Sequence, residues 1–335
     1  MRFAGRGARS IDHDSEPIVG ALRLRPMTVF PTDSHGLIRR EATLRLGISD
    51  DVVAGAVRRG ELVRLAPGVC AVPVPETDTA DDELYRLKSI AVATSARDGD
   101  TSTLSHDSAA AVLGLSLLHP EREFIHLTKT HVRGGFVRGH RIVHAGPLSP
   151  DDITDIDGVP VTALERTAVD VAMAGDFERA LVVFDRALAL QADLAEMTTI
   201  LDSRGRWRGV GTARRALLLA DAASESVGES WSRAQMIAAG LPIPRLQHTF
   251  QTSDGPARAD FDWEGKLVGE FDGLQKYGRL LRPGETARDA LIREKRREDA
   301  LRAQGIMVVR WTWATLERGE LVGLLRPWLT SLAAA

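Results

Sequence analysis

"GEFDGLQKYGR" (residues 269–279) follows the apolar run Lys266-Leu267-Val268 and closes an expected strand on two carboxylates, Glu270 and Asp272. Side chains alternate along a strand, so both acids share a face with Val268, while Leu267 and Phe271 take the other. The preceding "ARADFDW" (residues 257–263) alternates in the same way. Ala259, Phe261 and Trp263 point one way, and Asp260 and Asp262 the other. "WEGK" between the two strands demands a tight hairpin, and its loop length fixes the register. A two-residue loop, Glu264-Gly265, sets Asp260 against Gly269; a three-residue loop or a bulge sets Asp260 against Glu270 on one face. Carboxylates opposed across a strand pair repel each other, so that second register calls for a cation. Oxygen ligands without cysteine or histidine suit a hard ion, Mg²⁺ or Mn²⁺. Asp260, Glu270 and Asp272 are the candidate metal ligands.

The segments around this hairpin read as an α/β unit. Residues 213–223 and 230–239 have helical patterns, with Gly240 stopping the second and Glu229 near its N-terminus. The helix dipole favours an anion there, so Glu229 reads equally as a cap. A long helix over residues 286–304, ended by Gly305, carries Arg293 and Arg297 on one face, with Arg296, Glu294, Glu298 and Asp299 along it. Contact with phosphate and a solvated, salt-bridged surface are both open. In "VVRWTW" (residues 308–313), Val309, Trp311 and Trp313 share a face suited to a core, leaving Arg310 directed at the acids.

The sequence "RADFDW…VGEFDG…KYGR…EKRREDALRAQGIMVVRWTW" resembles the PD-(D/E)XK nuclease superfamily, in the branch related to the very-short-patch-repair endonuclease that carries the DUF559 domain. The resemblance runs over about residues 228–316. It implies a restriction-endonuclease-like fold hydrolysing phosphodiesters with Mg²⁺ or Mn²⁺. Asp260 and Glu270 would be ligands, Glu229 would support them, and Lys276 would supply the catalytic cation. The position two beyond Glu270, where the superfamily usually has lysine, is Asp272, which departs from the pattern.

Nearer the N-terminus, residues 28–75 read as a winged helix-turn-helix. A helix is expected over residues 38–46 with Leu44 and Leu46 inward, broken by Gly47, and a second over 51–59, capped by Ser49 or Asp50. "ELVRLAPGVCAV" then alternates about a Pro67-Gly68 turn, forming the wing. Between Gly36 and Arg64 six arginines (Arg39, Arg40, Arg45, Arg58, Arg59, Arg64) stand against four acids. On a motif whose second helix normally enters a major groove, they are the candidate DNA contacts, joined by Arg293, Arg297 and Arg310. A winged unit used only for protein contacts is the competing reading.

After the linker "PVPETDT", residues 84–200 mix helices with the strand-like segments "EFIHLTK" and "GHRIVHAG". Ser105-His106-Asp107 reads as a helix N-cap, since adjacent residues cannot converge as a triad. His119, His126, His131, His140 and His144 read as satisfied or solvated histidines rather than metal ligands. "LGISDDVVAGAVRRGELVRLAPGVCAVP", "LSHDSAAAVLGL", "IHLT", "IVHAG" and "GVPVTALERTAVDVA" together resemble the AbiEi-type antitoxin family over about residues 36–174. That resemblance implies a winged helix ahead of an α/β domain, repression of the protein's own operon, and a cognate toxin as partner.

At 335 residues and 44% hydrophobic, the chain is long enough for two or three domains with real cores. Its formal net charge of -3 excludes a uniformly basic nucleic-acid coat but not local basic faces. The lone Cys70 excludes an internal disulfide framework and a thiolate-rich zinc site, and suits a reducing cytoplasm. No apolar run approaches the ~20 residues of a membrane span. Residues 1–27 are arginine-bearing, lack a signal-peptide h-region and read as a disordered tail. The expectation is an α/β chain in three units: winged helix, middle α+β domain, and restriction-like domain over residues 213–332. Its function is metal-dependent DNA cleavage or, alternatively, repression by an antitoxin whose nuclease fold is inactive. A homodimer would suit either.

Overall fold

The computed structural model of the chain describes residues 29–95, 102–273 and 286–333. Its N-terminal unit runs β1 (Leu37–Arg39), α1 (Arg40–Arg45), α2 (Asp50–Arg58), β2 (Val63–Ala66) and β3 (Val69–Ala71). The three strands form an antiparallel sheet in the order β1-β3-β2, with Leu37 opposite Ala71. Ser49 caps α2 by accepting from the Val52 amide at 3.5 Å, and the Pro67-Gly68 turn closes the wing with Gly68 at φ +76°. The expected helix over 38–46 is corrected: residues 37–39 are extended and α1 begins only at Arg40. Asp33 Oδ1 accepts from the His35 and Leu37 amides, which turns the chain into an edge strand instead. The short α1 leaves Leu44 and Leu46 exposed rather than inward.

The winged unit has a small core of its own, Ile38, Ala56, Leu62 and Cys70, and its other sheet face is shared with the next domain. Leu37, Ala66, Val69 and Ala71 pack with Tyr85, Leu87, Ile90 and Ala91 of α3 (Ala80–Ala93), and with Leu104, Ile125, Leu127, Val159 and Val161. The latter belong to a six-stranded mixed sheet. In chain order it comprises β4 (Thr103–Leu104), β5 (Ile125–Lys129), β6 (Phe136–Arg138), β7 (Arg141–Ala145), β8 (Ile153–Ile156) and β9 (Val159–Thr162). The strand order is β6-β7-β5-β4-β9-β8, with β5–β7 and β4–β9 parallel. The helix α4 (His106–Leu113) packs beside β5, followed later by α5 (Leu164–Ala174), α6 (Phe177–Ala189), α7 (Leu194–Ser203) and α8 (Val210–Leu217). Val169, Leu181, Phe184, Met197 and Leu201 build the core of this helical layer.

The C-terminal unit opens with α9 (Val227–Ala238), then β10 (Arg245–Thr252), β11 (Gly255–Trp263) and β12 (Leu267–Asp272). It continues with α10 (Ala287–Arg302), β13 (Met307–Thr312), α11 (Trp313–Glu317) and α12 (Leu321–Ala333). Its sheet runs β10-β11-β12-β13, antiparallel until β13, which returns parallel to β12 after α10. A capping box of Thr286 and Asp289 starts α10, and Gly305 at φ +79° follows it. One sheet face buries Phe261, Leu267, Phe271 and Trp311 against Trp231 and Met236 of α9 and Leu321, Leu325 and Leu329 of α12. The other core joins Val268 and Val308 to Leu301 and Ile306. The contact between α9 and β12 is close enough to require glycine: a Cβ on Gly228 would lie 2.1 Å from the Phe271 ring.

The units are joined through α6 and α9. Ala234 of α9 belongs to the helical-layer core, while Val182 of α6 and Leu118 belong to the C-terminal core. Arg233 of α9 pairs with the fully buried Asp185 of α6, whose other oxygen accepts from the Asp221 amide at 2.8 Å. Helices, two mixed sheets and one antiparallel sheet make this an α/β multidomain chain. Among the described residues no helix is long and apolar enough to cross a membrane.

Candidate functional site

The hairpin between β11 and β12 takes a three-residue turn over Glu264, Gly265 and Lys266. Trp263 stands opposite Leu267 and Phe261 opposite Gly269. Continued by one residue, that register sets Asp260 against Glu270, and β13 sets Arg310 against Glu270 on the far side. The Asp262 carboxylate accepts from the Gly265 amide at 2.8 Å and so supports the turn. Sequence reasoning had no role for Asp262. It is 4% exposed, and its other oxygen lies 2.6 Å from His248 Nδ1 on β10.

A cation does sit at the opposed acids, and it is Arg297 of α10. Its guanidinium lies 3.1 Å from Glu270 Oε2, donates to Glu294 at 2.7 and 3.0 Å, and donates to the Arg258 carbonyl at 2.7 Å. Burial opposes the charge on Arg297, but its hydrogen bonds to Glu294 and the charge of Glu270 outweigh it and raise its pKa. Glu270 is 6% exposed. Its carboxyl is pushed up to about 7, by burial first and by repulsion from Asp260, against the pull of Arg297. Asp260 Oδ2 accepts from the Phe271 amide at 2.9 Å.

Glu229 stands in the first turn of α9, close enough to Asp260 for their repulsion to count. It accepts from the Glu225 amide at 2.9 Å, the Ser226 hydroxyl at 2.8 Å and Gln247 Nε2 at 2.8 Å. Burial, then Asp260, raises its pKa against those bonds. Asp272 ends β12 opposite Thr312, and Lys276 lies outside the described residues.

These surroundings do not fit a ready divalent-ion site. Oxygens of Glu270 and Asp260 are already engaged by Arg297 and by a backbone amide. Among the described residues no three carboxylate side chains bring one oxygen each mutually within 4.8 Å.

The remaining basic candidates divide by environment. Arg39 is turned inward, pairing with Asp33 at 2.7 Å and donating to Thr94 Oγ1 at 2.8 Å, so it braces the wing. Arg40 forms a bidentate pair with Asp50, and Arg59 pairs with Glu61. Arg45, Arg58 and Arg64 are exposed on the winged unit. Arg293 is half-exposed on α10. Arg310 pairs with Glu294 at 2.6 Å and Glu298 at 3.0 Å rather than reaching the acids.

A second cluster was not read from the sequence. His106 at the start of α4, His126 on β5 and His144 on β7 bring their ring nitrogens within 4.8 Å of one another. His126 Nδ1 and His144 Nε2 are 3.0 Å apart in nearly coplanar rings, and His106 stacks on His144 at 3.8 Å. Burial is the main cause that holds all three below the usual imidazole range, His144 at about 4. Ser105 takes the N-cap position of α4 as expected, with extended backbone, but the three residues do more than cap. Ser105 makes no side-chain cap but contacts His106 Nδ1 at 3.1 Å, and buried Asp107 pairs with Arg179 at 3.0 Å. His119, His131 and His140 are exposed, as expected.

Residues 102–220 match the family described as the AbiEi antitoxin C-terminal domain, so a domain of that kind is present. Two uncharacterised proteins of Mycobacterium tuberculosis, Rv2248 of strain H37Rv and MT2308 of strain CDC 1551, are each 36% identical over 138 residues. The match covers 40% of this chain and 49% of each relative, so the chain spans about half the length of the curated relatives it matches. The crystal structure of the RV2827C protein from the same organism aligns with a TM-score of 0.36 at 17% identity, over 66% of this chain and 83% of that one.

Proposed function

We propose that this chain is a DNA-binding repressor of the AbiEi antitoxin kind, with the restriction-like C-terminal unit serving as a scaffold. The observation that carries this reading is Arg297, which holds Glu270 at 3.1 Å where a cleaving enzyme would need a divalent ion. The AbiEi-type segment behind a winged unit supports it from the other end of the chain. In this reading α2 lies in a major groove and the wing, with Arg64, follows the backbone. Arg45 and Arg58 add phosphate contacts, whose strength falls with salt as counterions are released. A homodimer would read a two-fold operator. A cognate toxin is the protein partner that the AbiEi-type segment suggests.

A mobility shift on DNA from upstream of the protein's own gene tests it. The shift should persist in EDTA and weaken in Arg58→Ala and Arg64→Ala. Absence of binding at moderate salt overturns the proposal.

A second reading, metal-dependent DNA cleavage, is favoured by one specific observation: the hairpin register that opposes Asp260 and Glu270 beside Glu229. It requires Arg297 to leave Glu270 so that Mg²⁺ or Mn²⁺ can enter. Plasmid nicking in Mn²⁺ that is lost in Asp260→Ala and Glu270→Ala would establish this reading over repression alone.

A further inference from the structure

We propose that His106, His126 and His144 form a binding site for a borderline divalent transition ion of the zinc class. Three elements distant in sequence deliver the ligands, and every pair of ligand nitrogens lies within 4.8 Å. Tetrahedral zinc at ~2.0–2.1 Å from each imidazole nitrogen needs ligand nitrogens a little over 3 Å apart. His126 Nδ1 and His144 Nε2 already stand at 3.0 Å, so a turn of the two rings that aims both lone pairs to one side of the N···N line makes room for an ion in place of their hydrogen bond. His106 completes the set by rotating its ring out of the stack on His144.

The backbone holds this arrangement in place. The Ser105 amide donates to the His126 carbonyl at 3.1 Å, and the His126 amide donates to Ser108 Oγ at 2.9 Å. The start of α4 is thereby fixed to β5 on both sides of His126. His106 sits in the left-handed region at φ +50°, a conformation uncommon for residues other than glycine. His126 Nε2 is buried without a hydrogen-bond partner, while Nδ1 of the same ring faces His144. Ser105 Oγ, 3.1 Å from His106 Nδ1, occupies the outer position from which a ligand histidine is usually oriented.

All-imidazole coordination selects Zn²⁺, Co²⁺, Ni²⁺ or Cu²⁺ over Mg²⁺. Three protein ligands leave a fourth position for water or a bound group. The ion would tie α4 to the parallel pair β5 and β7 inside the segment that matches the antitoxin domain.

The test uses untagged full-length protein, stripped with chelator and titrated calorimetrically with Zn²⁺, with Co²⁺ as a visible-absorbance probe. One saturable site per chain is expected, with a tetrahedral Co²⁺ spectrum and a higher Tm once Zn²⁺ is bound. His126→Gln and His144→Gln should each weaken binding by more than about tenfold, and Ser105→Ala by about tenfold. His131→Gln, at an exposed histidine outside the cluster, should leave it unchanged. Far-UV circular dichroism on each variant separates loss of the site from loss of fold. Wild type without saturable binding, or undiminished affinity in folded His126→Gln and His144→Gln, overturns the proposal.

Discussion

Replacing Arg297 with methionine keeps most of the side-chain stem and deletes the guanidinium that holds Glu270 at 3.1 Å and Glu294 at 2.7 Å. Glu270, 6% exposed, then faces Asp260 with no cation beside it. Removing one partner of a buried pair costs about 3–5 kcal/mol. The Arg297 side chain is 22% exposed, so water offsets part of this, and the lower end, about 3 kcal/mol, is expected in mildly alkaline buffer. The cost depends on pH in a defined direction. Glu270 titrates at about 7 in the fold against an ordinary 4.5. An acid raised in this way contributes stability that is complete below its unfolded value and lost as pH rises through its folded value. For the wild type the loss amounts to about 3 kcal/mol on going from acid to alkaline buffer, at 1.36 kcal/mol per pH unit. Without Arg297 the folded value climbs further, so the extra loss falls above neutrality. Urea melts of wild type, Arg297→Met, Glu270→Gln and the double variant, at about pH 5 and about pH 8.5, measure it. The Arg297→Met deficit should be small in acid and widen in base, and Glu270→Gln should restore most of it. A deficit of equal size at both pH values, or no rescue in the double variant, would refute the assignment of Arg297 as the site's cation.

Gly228→Ala should destabilise the C-terminal unit by about 1–3 kcal/mol or more, because its Cβ would meet the Phe271 ring at 2.1 Å; Phe271→Ala in the same chain should relieve the clash, as read by thermal melts. Asp185→Ala strands Arg233, 4% exposed, and should cost about 3–5 kcal/mol in a urea titration. On the winged unit two arginine classes should separate. Arg39→Ala lowers Tm by removing the brace to Asp33 and Thr94, whereas Arg58→Ala and Arg64→Ala leave Tm alone and each flatten the salt dependence of DNA binding by about one phosphate contact.

How far the sequence led can be seen residue by residue. Alternation in "ARADFDW" and "KLVGEFD" placed both strands, and Trp311 and Val309 were assigned to the core they occupy. The register remained a choice of two because it hangs on whether Lys266 belongs to the turn. The acids were legible, but their counter-ion was not. Arg297 reaches Glu270 across 27 positions, and its helical pattern fitted an outward, phosphate-facing side chain equally well. The histidines were hidden for a similar reason. His126 and His144 share a face only because β5 and β7 pair in parallel, and no local periodicity announces which strands become neighbours. The two-residue β4, lying between β5 and β9, was too short to register as a strand at all.

The helix α9 gives residues to two apolar interiors at once, Ala234 to one and Trp231 and Met236 to the other. Dissecting the chain at the border of the antitoxin-like segment, after residue 220, would therefore strip a wall from each half. Bare aliphatic surface would be left on both pieces, together with an unpartnered Asp185 on the first and Arg233 on the second. The halves are welded rather than strung together, so strain imposed on the first half has a stiff route into the C-terminal unit.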